Sequence, residues 1–375
     1  MRIILFANTD WYLYNFRLPL AERLRERGDE VILVSPPGDF SEKLRALGFT
    51  WHEFDFARKG TNPIAELRTL RRLIALYKTI APDLVHHFTI KCVLYGGMAA
   101  RRLGIPSVSA VTGMGHVFTT HTIKNSILRP FISAAYRYAL KRSQVIFQNP
   151  DDREAFLSLG LVAASQAHLI RGSGVNINRF SPTFARVSTR PMILFVGRLL
   201  REKGVAEFVE AASMVRASHP DARFQIAGEI DGGNPSSFDE SQIQLWANEG
   251  NVDFLGQCLE MPALLGVSDI CVLPSYREGM PRSLLEAAAC GLPLVATDVP
   301  GCREICRDGV NGILVPPCEA SALAAAIIRL LDDAALRKAM GARSREIAVA
   351  EFAEDSVIAK TLQVYAVAQR EDNVA

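Results

Sequence analysis

The sequence predicts an α/β protein made of two doubly wound halves. Short apolar runs typical of buried strands alternate with amphipathic helical segments along most of the chain. Alternating β and α units favour a parallel sheet with helices on both faces. A polar stretch in the middle interrupts this alternation, which then restarts, and the length of 375 residues exceeds that of one typical domain. Open sheets of this kind bind ligands at the carboxyl ends of their strands.

The first half opens with a strand, a polar and aromatic segment, a helix and a second strand. The apolar run 2–7 predicts the first strand, the amphipathic segment 18–27 predicts a helix that Gly28 ends, and 30–35 predict the second strand. The alternation then continues with a basic helix, a strand, a helix and a strand, predicted at 64–80, 83–86, 93–103 and 107–111.

The polar stretch at 181–191 predicts a linker, which we place at 183–190. We therefore expect a first domain at 1–182 and a second at 191–350, facing each other across a ligand-binding cleft. The C-terminal segment 356–375 is a candidate to pack back on the first domain. Strands of the second half are predicted at 192–196, 223–227, 252–255, 270–274, 294–296 and 313–315, and helices at 205–218, 283–290, 320–332, 335–350 and 356–370.

The charge of the chain is unevenly distributed. Residues 1–180 contain 24 Lys and Arg against 14 Asp and Glu, whereas residues 181–375 contain 18 against 26. This asymmetry predicts an anionic partner for the first half, and nucleic acid, an anionic membrane and a phosphorylated substrate all fit. The seven cysteines show no metal-ligand spacing. Since no signal peptide and no long apolar stretch is visible, we expect a cytoplasmic protein.

Two carboxylates stand eight positions apart at Glu278 and Glu286, with Gly279 and Pro281 between them. Pro281 favours the first turn of a helix, so Glu278 is expected on a loop and Glu286 about two turns into the helix. The N-terminus of that helix attracts an anion. The apolar neighbours of Glu286 predict a partly buried carboxylate that needs partners.

A second loop carries Gly197, Arg198 and Lys203 after the first strand of the second half. Arg offers a forked donor and Lys a point charge, which together suit a diphosphate. Two cations alone also fit a solvated basic loop. Together with Glu278 and Glu286, they predict a site for a polyhydroxylated ligand that carries phosphates.

These segments, in this order, resemble the retaining glycosyltransferases of family 4. The resemblance covers essentially the whole chain and is carried by Gly174–Pro182, Gly197-Arg198 with Lys203-Gly204, Glu278–Glu286, Gly291–Thr297 and Asp308–Val315. It implies the GT-B architecture, in which two Rossmann-like doubly wound domains face each other across a cleft. It also implies that the second domain binds a nucleotide-sugar and the first an acceptor.

The resemblance assigns roles to residues of the second half. Arg198 and Lys203, in the loop that begins at Gly197, would neutralise the donor diphosphate, and Glu286 would hold the ribose. The donor sugar would be held by Glu278 together with the backbone of Gly279, Met280 and Pro281. Leu255 would border the base, for which uridine is the commonest choice in the family.

The catalytic set implied by the resemblance is Glu278, Lys203, Arg198 and His116, with His121 competing for the role of His116. No metal-binding Asp-x-Asp pattern is evident, so positive side chains and a helix terminus are expected to stabilise the leaving phosphate. We therefore expect neither a metal nor a cofactor. No dedicated nucleophile is visible, and the family's retention is assigned to front-face attack.

The first half resembles the subgroup that extends polyprenyl-diphosphate-linked sugars. Polar and aromatic residues follow the first strand at 8–17, and a Thr-Gly-x-Gly segment follows the strand at 107–111. A hydrophobic loop packed on a helix is the alternative interpretation of 8–17. The residues expected to bind the lipid-linked saccharide acceptor are Asp10, Tyr14, Asn15, Arg17, Lys91 and Thr112.

Basic and aromatic residues alternate with apolar ones at 129–142, as in a helix that lies on a membrane surface. The segment 64–80 adds Arg68, Arg71, Arg72 and Lys78. These patterns predict an enzyme that docks on the anionic inner face of the cell membrane, against the alternative of a core-facing helix with a solvated basic face.

Two other functions share some of these features. A nucleotide-sugar epimerase has the same two-half architecture, but the ordered segments of the second half disfavour it. A sugar- or nucleic-acid-binding protein without turnover would suit the basic first half. The set of Arg198, Lys203, Glu278 and Glu286 favours catalysis, so no nucleic-acid partner is expected, and donor hydrolysis or transfer separates these alternatives.

Overall fold

The computed structural model describes residues 1–56, 63–113, 123–182 and 190–372. The chain divides into two compact units. Unit 1 comprises Met1–Ser173 with Val357–Ala375, and unit 2 comprises Gly174–Ser356. Each unit contains one parallel sheet with its own hydrophobic core, so the predicted α/β class with two doubly wound domains is confirmed.

The sheet of unit 1 has seven parallel strands in the order β3-β2-β1-β4-β5-β6-β7. These are β1 (Arg2–Phe6), β2 (Glu30–Ser35), β3 (Thr50–Glu53), β4 (Leu84–Phe88), β5 (Ser107–Val111), β6 (Ser143–Phe147) and β7 (Ala167–Leu169). The central strands β1 and β4 pair in register, with Ile3 opposite Leu84. All their residues except Arg2 are buried, as expected for strands covered on two faces, although β4 includes His86 and His87.

The helices of unit 1 connect these strands. They are α1 (Asp10–Tyr12), a π-helical turn (Leu13–Arg17), α2 (Leu18–Glu26), α3 (Ser41–Ala46), α4 (Pro63–Ile80), α5 (Ile90–Leu103), α6 (Ile123–Leu140), α7 (Pro150–Ser158) and a 3-10 turn (Ala164–Gln166). The helical segment after β1 begins at Asp10, earlier than the predicted residue 18. The reason is local, because the Thr9 hydroxyl caps it by accepting the Tyr12 N–H at 3.0 Å.

The sheet of unit 2 has six parallel strands in the order β10-β9-β8-β11-β12-β13. These are β8 (Met192–Val196), β9 (Arg223–Ala227), β10 (Asp253–Gly256), β11 (Ile270–Leu273), β12 (Leu294–Thr297) and β13 (Gly312–Val315). Its helical elements are a 3-10 turn (Arg201–Lys203), α8 (Val205–Ser218), α9 (Glu240–Glu249), α10 (Met261–Val267), α11 (Arg282–Ala289), α12 (Cys302–Ile305), α13 (Ala320–Asp332) and α14 (Ala334–Glu351), followed by α15 (Glu354–Asp372), most of which belongs to unit 1. The first six strands of each unit thus follow one order.

The boundary between the units lies between Ser173 and Gly174, before the predicted limit at residue 182. The segment from Gly174 stays with unit 2 because Val175 is buried in its core and donates its N–H to Phe352 O at 2.9 Å. The Arg345 guanidinium also donates to Phe180 O at 2.8 Å. Residues 183–189 of the predicted linker lie outside the described residues.

Candidate active site

The site of unit 2 is built on its two central strands, β8 and β11. They are parallel neighbours, with Phe195 opposite Val272, so their carboxyl ends lie at the same edge of the sheet. The loops that follow them are joined by a hydrogen bond of 2.9 Å from Tyr276 N–H to Glu202 O. This topology brings together the two loops whose charged residues the sequence singled out.

Lys203 and Glu278 form an ion pair between these loops. Lys203 Nζ lies 2.5 Å from Glu278 Oε1, and the Ser275 hydroxyl donates to the same oxygen at 2.7 Å. The side chains are only 20% and 11% exposed. Because solvent screens such a pair weakly, removing one partner would leave the other charge buried without its counter-ion.

Two glycines permit the close backbone approach that this pair needs. A Cβ on Gly204 would lie 2.1 Å from Pro274 O, and a Cβ on Gly301 would lie 2.6 Å from Gly279 O. Both glycines have positive φ, +74° and +83°, where side chains are strained. The loop carrying Glu278 is therefore enclosed by backbone on two sides.

Arg198 lies at the surface of the same edge, with a side chain 60% exposed. Its Nη1 is 2.5 Å from Asp231 Oδ2, which also accepts from Asn234 Nδ2 at 3.1 Å. Asp231 belongs to the loop after β9, which is tied to the Arg198 loop through the hydrogen bond from Phe238 N–H to Leu199 O. Asp231 was not predicted as a site residue, and its only signal in the sequence was a carboxylate soon after a predicted strand.

Glu286 lies on α11, as predicted, with its side chain largely buried. The Arg282 Nε–H donates to Glu286 Oε1 at 2.7 Å, across one turn of the helix. Burial raises the pKa of the Glu286 carboxyl above its ordinary value, while the charges of Arg282 and then Arg179 oppose this rise. Arg282 was not predicted as a site residue either, although its i,i+4 spacing from Glu286 was a usable signal.

The other predicted donor-site residues lie on several elements of unit 2. Gly197 follows β8 and donates its N–H to Ala227 O at 3.0 Å. Met280 packs partly against the core of unit 2, and Pro281 is buried directly before the first residue of α11. Leu255 is exposed on β10, the edge strand two positions from β8.

A further contact, which was not predicted, joins the loop after β11 to α8. The Tyr276 hydroxyl donates to Glu207 Oε1 on α8 at 2.6 Å. Burial, and then the hydrogen bond to Glu207, raise the pKa of Tyr276 above its ordinary value. Tyr276 thus binds the loop after β11 to the helix that follows the Lys203 turn.

Asp10, one of the residues expected at the acceptor site, is buried in unit 1. Its carboxylate accepts N–H bonds from Trp11 at 2.7 Å and from Phe40 at 2.8 Å. A Cβ on Gly38 would lie 2.5 Å from Asp10 Oδ1, so the loop after β2 comes very close. Asp10 therefore joins the segments that follow β1 and β2.

The remaining acceptor residues of the prediction lie in several parts of unit 1. The Tyr14 ring is 5.0 Å from the Phe40 ring, and Asn15 Nδ2 donates to Trp11 O at 3.0 Å. Lys91 Nζ forms an ion pair of 2.7 Å with Glu66 Oε1 between α5 and α4. Thr112 follows β5 and is partly buried. The predicted residues His116 and His121 lie outside the described residues.

Arg17, which also belongs to the predicted acceptor set, is buried in unit 1 beside Phe88 of β4. Its Nη2 donates to the Tyr12 hydroxyl at 2.8 Å. Nearby, His86 Nδ1 lies 2.8 Å from the Tyr365 hydroxyl of α15. Burial, and then the charge of Arg17, lower the pKa of His86 well below its ordinary value, so the imidazole is neutral near neutral pH.

Within the described ranges, no group of three or more His, Cys, Asp and Glu side chains could hold a metal ion. None of the described helices combines the length and the apolar character that crossing a membrane requires.

Comparisons with known proteins show which families and folds the chain resembles. The family model "Glycosyl transferases group 1" matches residues 176–347, and "Glycosyl transferase 4-like" matches residues 2–149. The chain is 30% identical to N,N'-diacetylbacillosaminyl-diphospho-undecaprenol alpha-1,3-N-acetylgalactosaminyltransferase of Campylobacter jejuni, over 97% of this chain and 98% of the relative. It is 27% identical to UDP-Gal:alpha-D-GlcNAc-diphosphoundecaprenol alpha-1,3-galactosyltransferase of Escherichia coli, over 73% of each. The crystal structure of Anabaena Alr3699/HepE with UDP and glucose superposes with a TM-score of 0.80 at 21% identity, covering 98% of this chain and 99% of that one.

Proposed function

This chain belongs to the group 1 and 4-like glycosyltransferases, and we propose that it transfers a sugar from a UDP-sugar to a polyprenyl-diphosphate-linked saccharide with retention of configuration. The transferred group is proposed to be a hexose or an N-acetylhexosamine. Support for the acceptor comes from two relatives whose names specify diphospho-undecaprenol substrates and which align over 97% and 73% of the chain. The reaction would serve the assembly of surface polysaccharides or glycans.

The observation that carries this proposal is the shielded pair of Lys203 and Glu278 at the carboxyl ends of β8 and β11. A preorganised cation stabilises the charge that develops on a departing diphosphate. The first N–H groups of α11, directly after Pro281, add a second source of positive potential. We propose that these groups replace a metal ion in neutralising the leaving group.

The neighbouring residues are proposed to complete the donor site. Arg198 would add a forked contact to the diphosphate, for which it must exchange Asp231 for the ligand. Glu286 would accept hydrogen bonds from the ribose hydroxyls. Glu278 and the backbone of 279–281 would hold the sugar, and Leu255 would border the uracil.

Front-face attack is the proposed route to retention. The bond from the anomeric carbon to the phosphate oxygen breaks, and the acceptor oxygen bonds to that carbon on the same face. The acceptor proton passes to the leaving phosphate oxygen, so no protein base is required. Glu278 Oε1 already accepts hydrogen bonds from Lys203 and Ser275, which suits binding of hydroxyls better than attack on carbon.

Unit 1 is proposed to bind the acceptor at an anionic membrane. The acceptor set is Asp10, Tyr14, Asn15, Arg17, Lys91 and Thr112, and His116 completes the proposed catalytic set. Helix α4 exposes Ile64 and Leu67, with 74% and 48% of their areas accessible, beside the exposed Arg68. Helix α6 exposes Phe131. Exposed apolar side chains beside basic ones match the surface of an anionic bilayer, which supports the proposal that the enzyme docks on the inner face of the cell membrane.

Transfer is tested with a panel of UDP-hexoses and UDP-N-acetylhexosamines and a short polyprenyl-diphosphate-linked saccharide, with EDTA present throughout. We expect one donor to be consumed, a larger lipid-linked product to form, and NMR to show the donor's anomeric configuration in that product. Inversion of configuration, or dependence on added metal, would contradict the proposed mechanism. Turnover of the nucleotide-sugar to an epimer without transfer would contradict the proposed function.

Membrane docking is tested by flotation with vesicles that contain anionic lipid and with purely zwitterionic vesicles. We expect the protein to float with the anionic vesicles, and the Ile64→Glu and Phe131→Glu variants to float less. The matched control is Met214→Glu, because Met214 is an exposed apolar residue of α8 in unit 2. Equal flotation of all variants would contradict the proposed surface.

A further inference from the structure

We propose that Arg17 binds a phosphate group of one of the two substrates, in a site of unit 1 that it shares with His86. The proposal rests on the proposed function, because donor and acceptor of that reaction both carry a diphosphate. It assigns to Arg17 a specific ligand group, and it adds His86, which had no assigned role.

The first support is the environment of the Arg17 guanidinium. The residue is only 7% exposed, and its guanidinium carbon lies 4.3 Å from the centre of the Phe88 ring and 5.4 Å from that of Tyr12. Its Nη2 donates to the Tyr12 hydroxyl, but Nε is enclosed and has no partner among the described residues. No described carboxylate pairs with it. A buried cation without an anion is costly, so the site is incomplete without one.

His86 provides a second enclosed nitrogen at the same place. The His86 ring centre lies 4.0 Å from that of Phe88, the ring that also contacts the Arg17 guanidinium. His86 Nε2 is enclosed and has no partner within the described part of the chain. When the Tyr365 hydroxyl donates to Nδ1, the hydrogen of the neutral imidazole lies on Nε2, which then becomes a donor. In that tautomer, Arg17 and His86 present two donors around one aromatic ring.

The position of this cluster in the sheet favours a ligand over a purely structural role. Arg17 ends the turn that follows β1, and Phe88 is the last residue of β4. These strands are parallel neighbours at the centre of the sheet. Ligands of doubly wound sheets bind at the carboxyl ends of such strands. The planar guanidinium fork matches the oxygens of phosphate, and the flanking rings fix its plane.

The experiment compares Arg17→Met and Arg17→Lys with the wild-type protein. One arm measures the Kd of UDP, which reports a donor phosphate. The other arm measures kcat/KM for the diphosphate-linked saccharide and for the same saccharide on an uncharged alkyl linker, and the ratio of the two reports an acceptor phosphate. The matched control is Arg23→Met on the same helical segment, because Arg23 forms an exposed pair with Glu26 at 3.2 Å.

We expect Arg17→Met to change one of these quantities by about tenfold or more, and Arg17→Lys, which keeps the charge but loses the fork, to change it less. A weaker UDP affinity identifies the donor phosphate, and a collapsed preference for the diphosphate linker identifies the acceptor phosphate. Arg23→Met should match the wild type in both arms. Because Arg17 is buried without an anion, Arg17→Met should unfold at the wild-type temperature or above it.

Wild-type UDP affinity together with a wild-type linker preference in Arg17→Met would overturn the proposal. A lower unfolding temperature with equal losses on both acceptors would also overturn it, because that pattern indicates a structural role. If the wild-type protein neither bound UDP nor transferred sugar, the proposed function would fail as well. If it did both and the Arg17 variants matched it, only this phosphate site would fail.

Discussion

Units 1 and 2 arrange their first six strands in the same order, yet the carboxyl ends of their central strands carry different electrostatics. In unit 2, each cation of the site faces a carboxylate, in the pairs Lys203–Glu278, Arg198–Asp231 and Arg282–Glu286. In unit 1, Arg17 is buried without a described carboxylate partner, beside the neutral His86. One sheet topology therefore carries two different arrangements of charge.

This difference in charge pairing determines which ligand groups each arrangement can recognise. A cation held beside a carboxylate offers a donor for phosphate and an acceptor for hydroxyl groups. A nucleotide-sugar carries both of these groups. A buried cation without a carboxylate offers only donors, so an anion is its natural ligand. The overall charge agrees, since residues 1–180 are rich in Lys and Arg and residues 181–375 in Asp and Glu.

The largest expected effect tests the paired site of unit 2. Lys203→Met should lower kcat by about 100- to 1,000-fold, the usual loss when one preorganised charge-stabilising group is removed. The measurement is transfer under saturating donor. Lys338→Met, at an exposed position of α14, is the control and should retain wild-type turnover.

Lys203→Met also leaves the largely buried Glu278 without its counter-ion, so the variant should lose stability. Adding Glu278→Gln should restore much of that stability without restoring turnover. Near-normal turnover of Lys203→Met would refute the assignment of this pair to the reaction. Recovery of turnover in the double variant would show that Lys203 acts only through folding.

A second test concerns the backbone that encloses Glu278. Gly301→Ala places a Cβ 2.6 Å from Gly279 O at a φ of +83°, whereas Gly309→Ala has a similar φ of +68° with nothing within 4 Å. A positive φ strains alanine in both variants, by about 1–2 kcal/mol in the left-handed helical region. The ψ of −46° at Gly301 lies outside that region and adds strain there. We expect Gly301→Ala to lose about 2 kcal/mol more than Gly309→Ala in urea unfolding and to lose donor affinity as well. Equal losses in the two variants would show that the loop has room to move.

Much of the fold could be predicted because buried parallel strands are continuous apolar runs. The predicted bounds of β8, β9 and α8 coincide with those of the structure. Several of the missed elements lack such a signal, and the fully buried β6 was missed because its apolar run is only three residues, Val145–Phe147. β3 and β7 are short edge strands, and α9 buries none of its residues, so no apolar stripe marks it.

The residues of the candidate site were likewise predictable only where the sequence carries a local signal. The spacing from Glu278 to Glu286 is local, and it located the loop and the helix that carry them. The partner Asp231 comes from another loop, whose position depends on the order of strands in the sheet. The burial of Arg17 depends on Phe88 and on packing of the distant α15, which no local pattern in the aromatic segment after β1 reveals.

Acid should lower the free energy of unfolding of unit 1, because its buried histidines are neutral in the folded protein. Burial lowers the pKa of His87 to about 3, whereas the unfolded chain binds that proton below its ordinary value of 6.5. The stabilising contribution is therefore full above pH 6.5 and is lost as the pH falls, by about 1.4 kcal/mol per pH unit. His86 adds a loss in the same direction. His219 is the one histidine in the sequence of unit 2, so the loss of stability in acid should concentrate in unit 1.

The measurement is urea unfolding at several pH values between neutral and about pH 5, in a Trp246→Phe background. The remaining tryptophans, Trp11 and Trp51, then both report on unit 1. His87→Leu should reduce the slope of unfolding free energy against pH, whatever its effect at neutral pH. An unchanged slope would mean that His87 is protonated in the folded protein.

A weaker effect is expected at Glu286, where a largely buried carboxylate faces Arg282. Because burial raises its folded-state pKa, the contribution of Glu286 to stability is present at acidic pH and lost as the pH rises through that value. Glu286→Gln should therefore be more stable than the wild type at neutral pH, with the gain disappearing in acid. It should also bind UDP about five- to tenfold more weakly, because an amide accepts hydrogen bonds from ribose less strongly than a carboxylate. Comparing UDP with its 2'-deoxy analogue isolates that contact: the wild type should discriminate between them and Glu286→Gln should not, and undiminished discrimination would remove Glu286 from the ribose site.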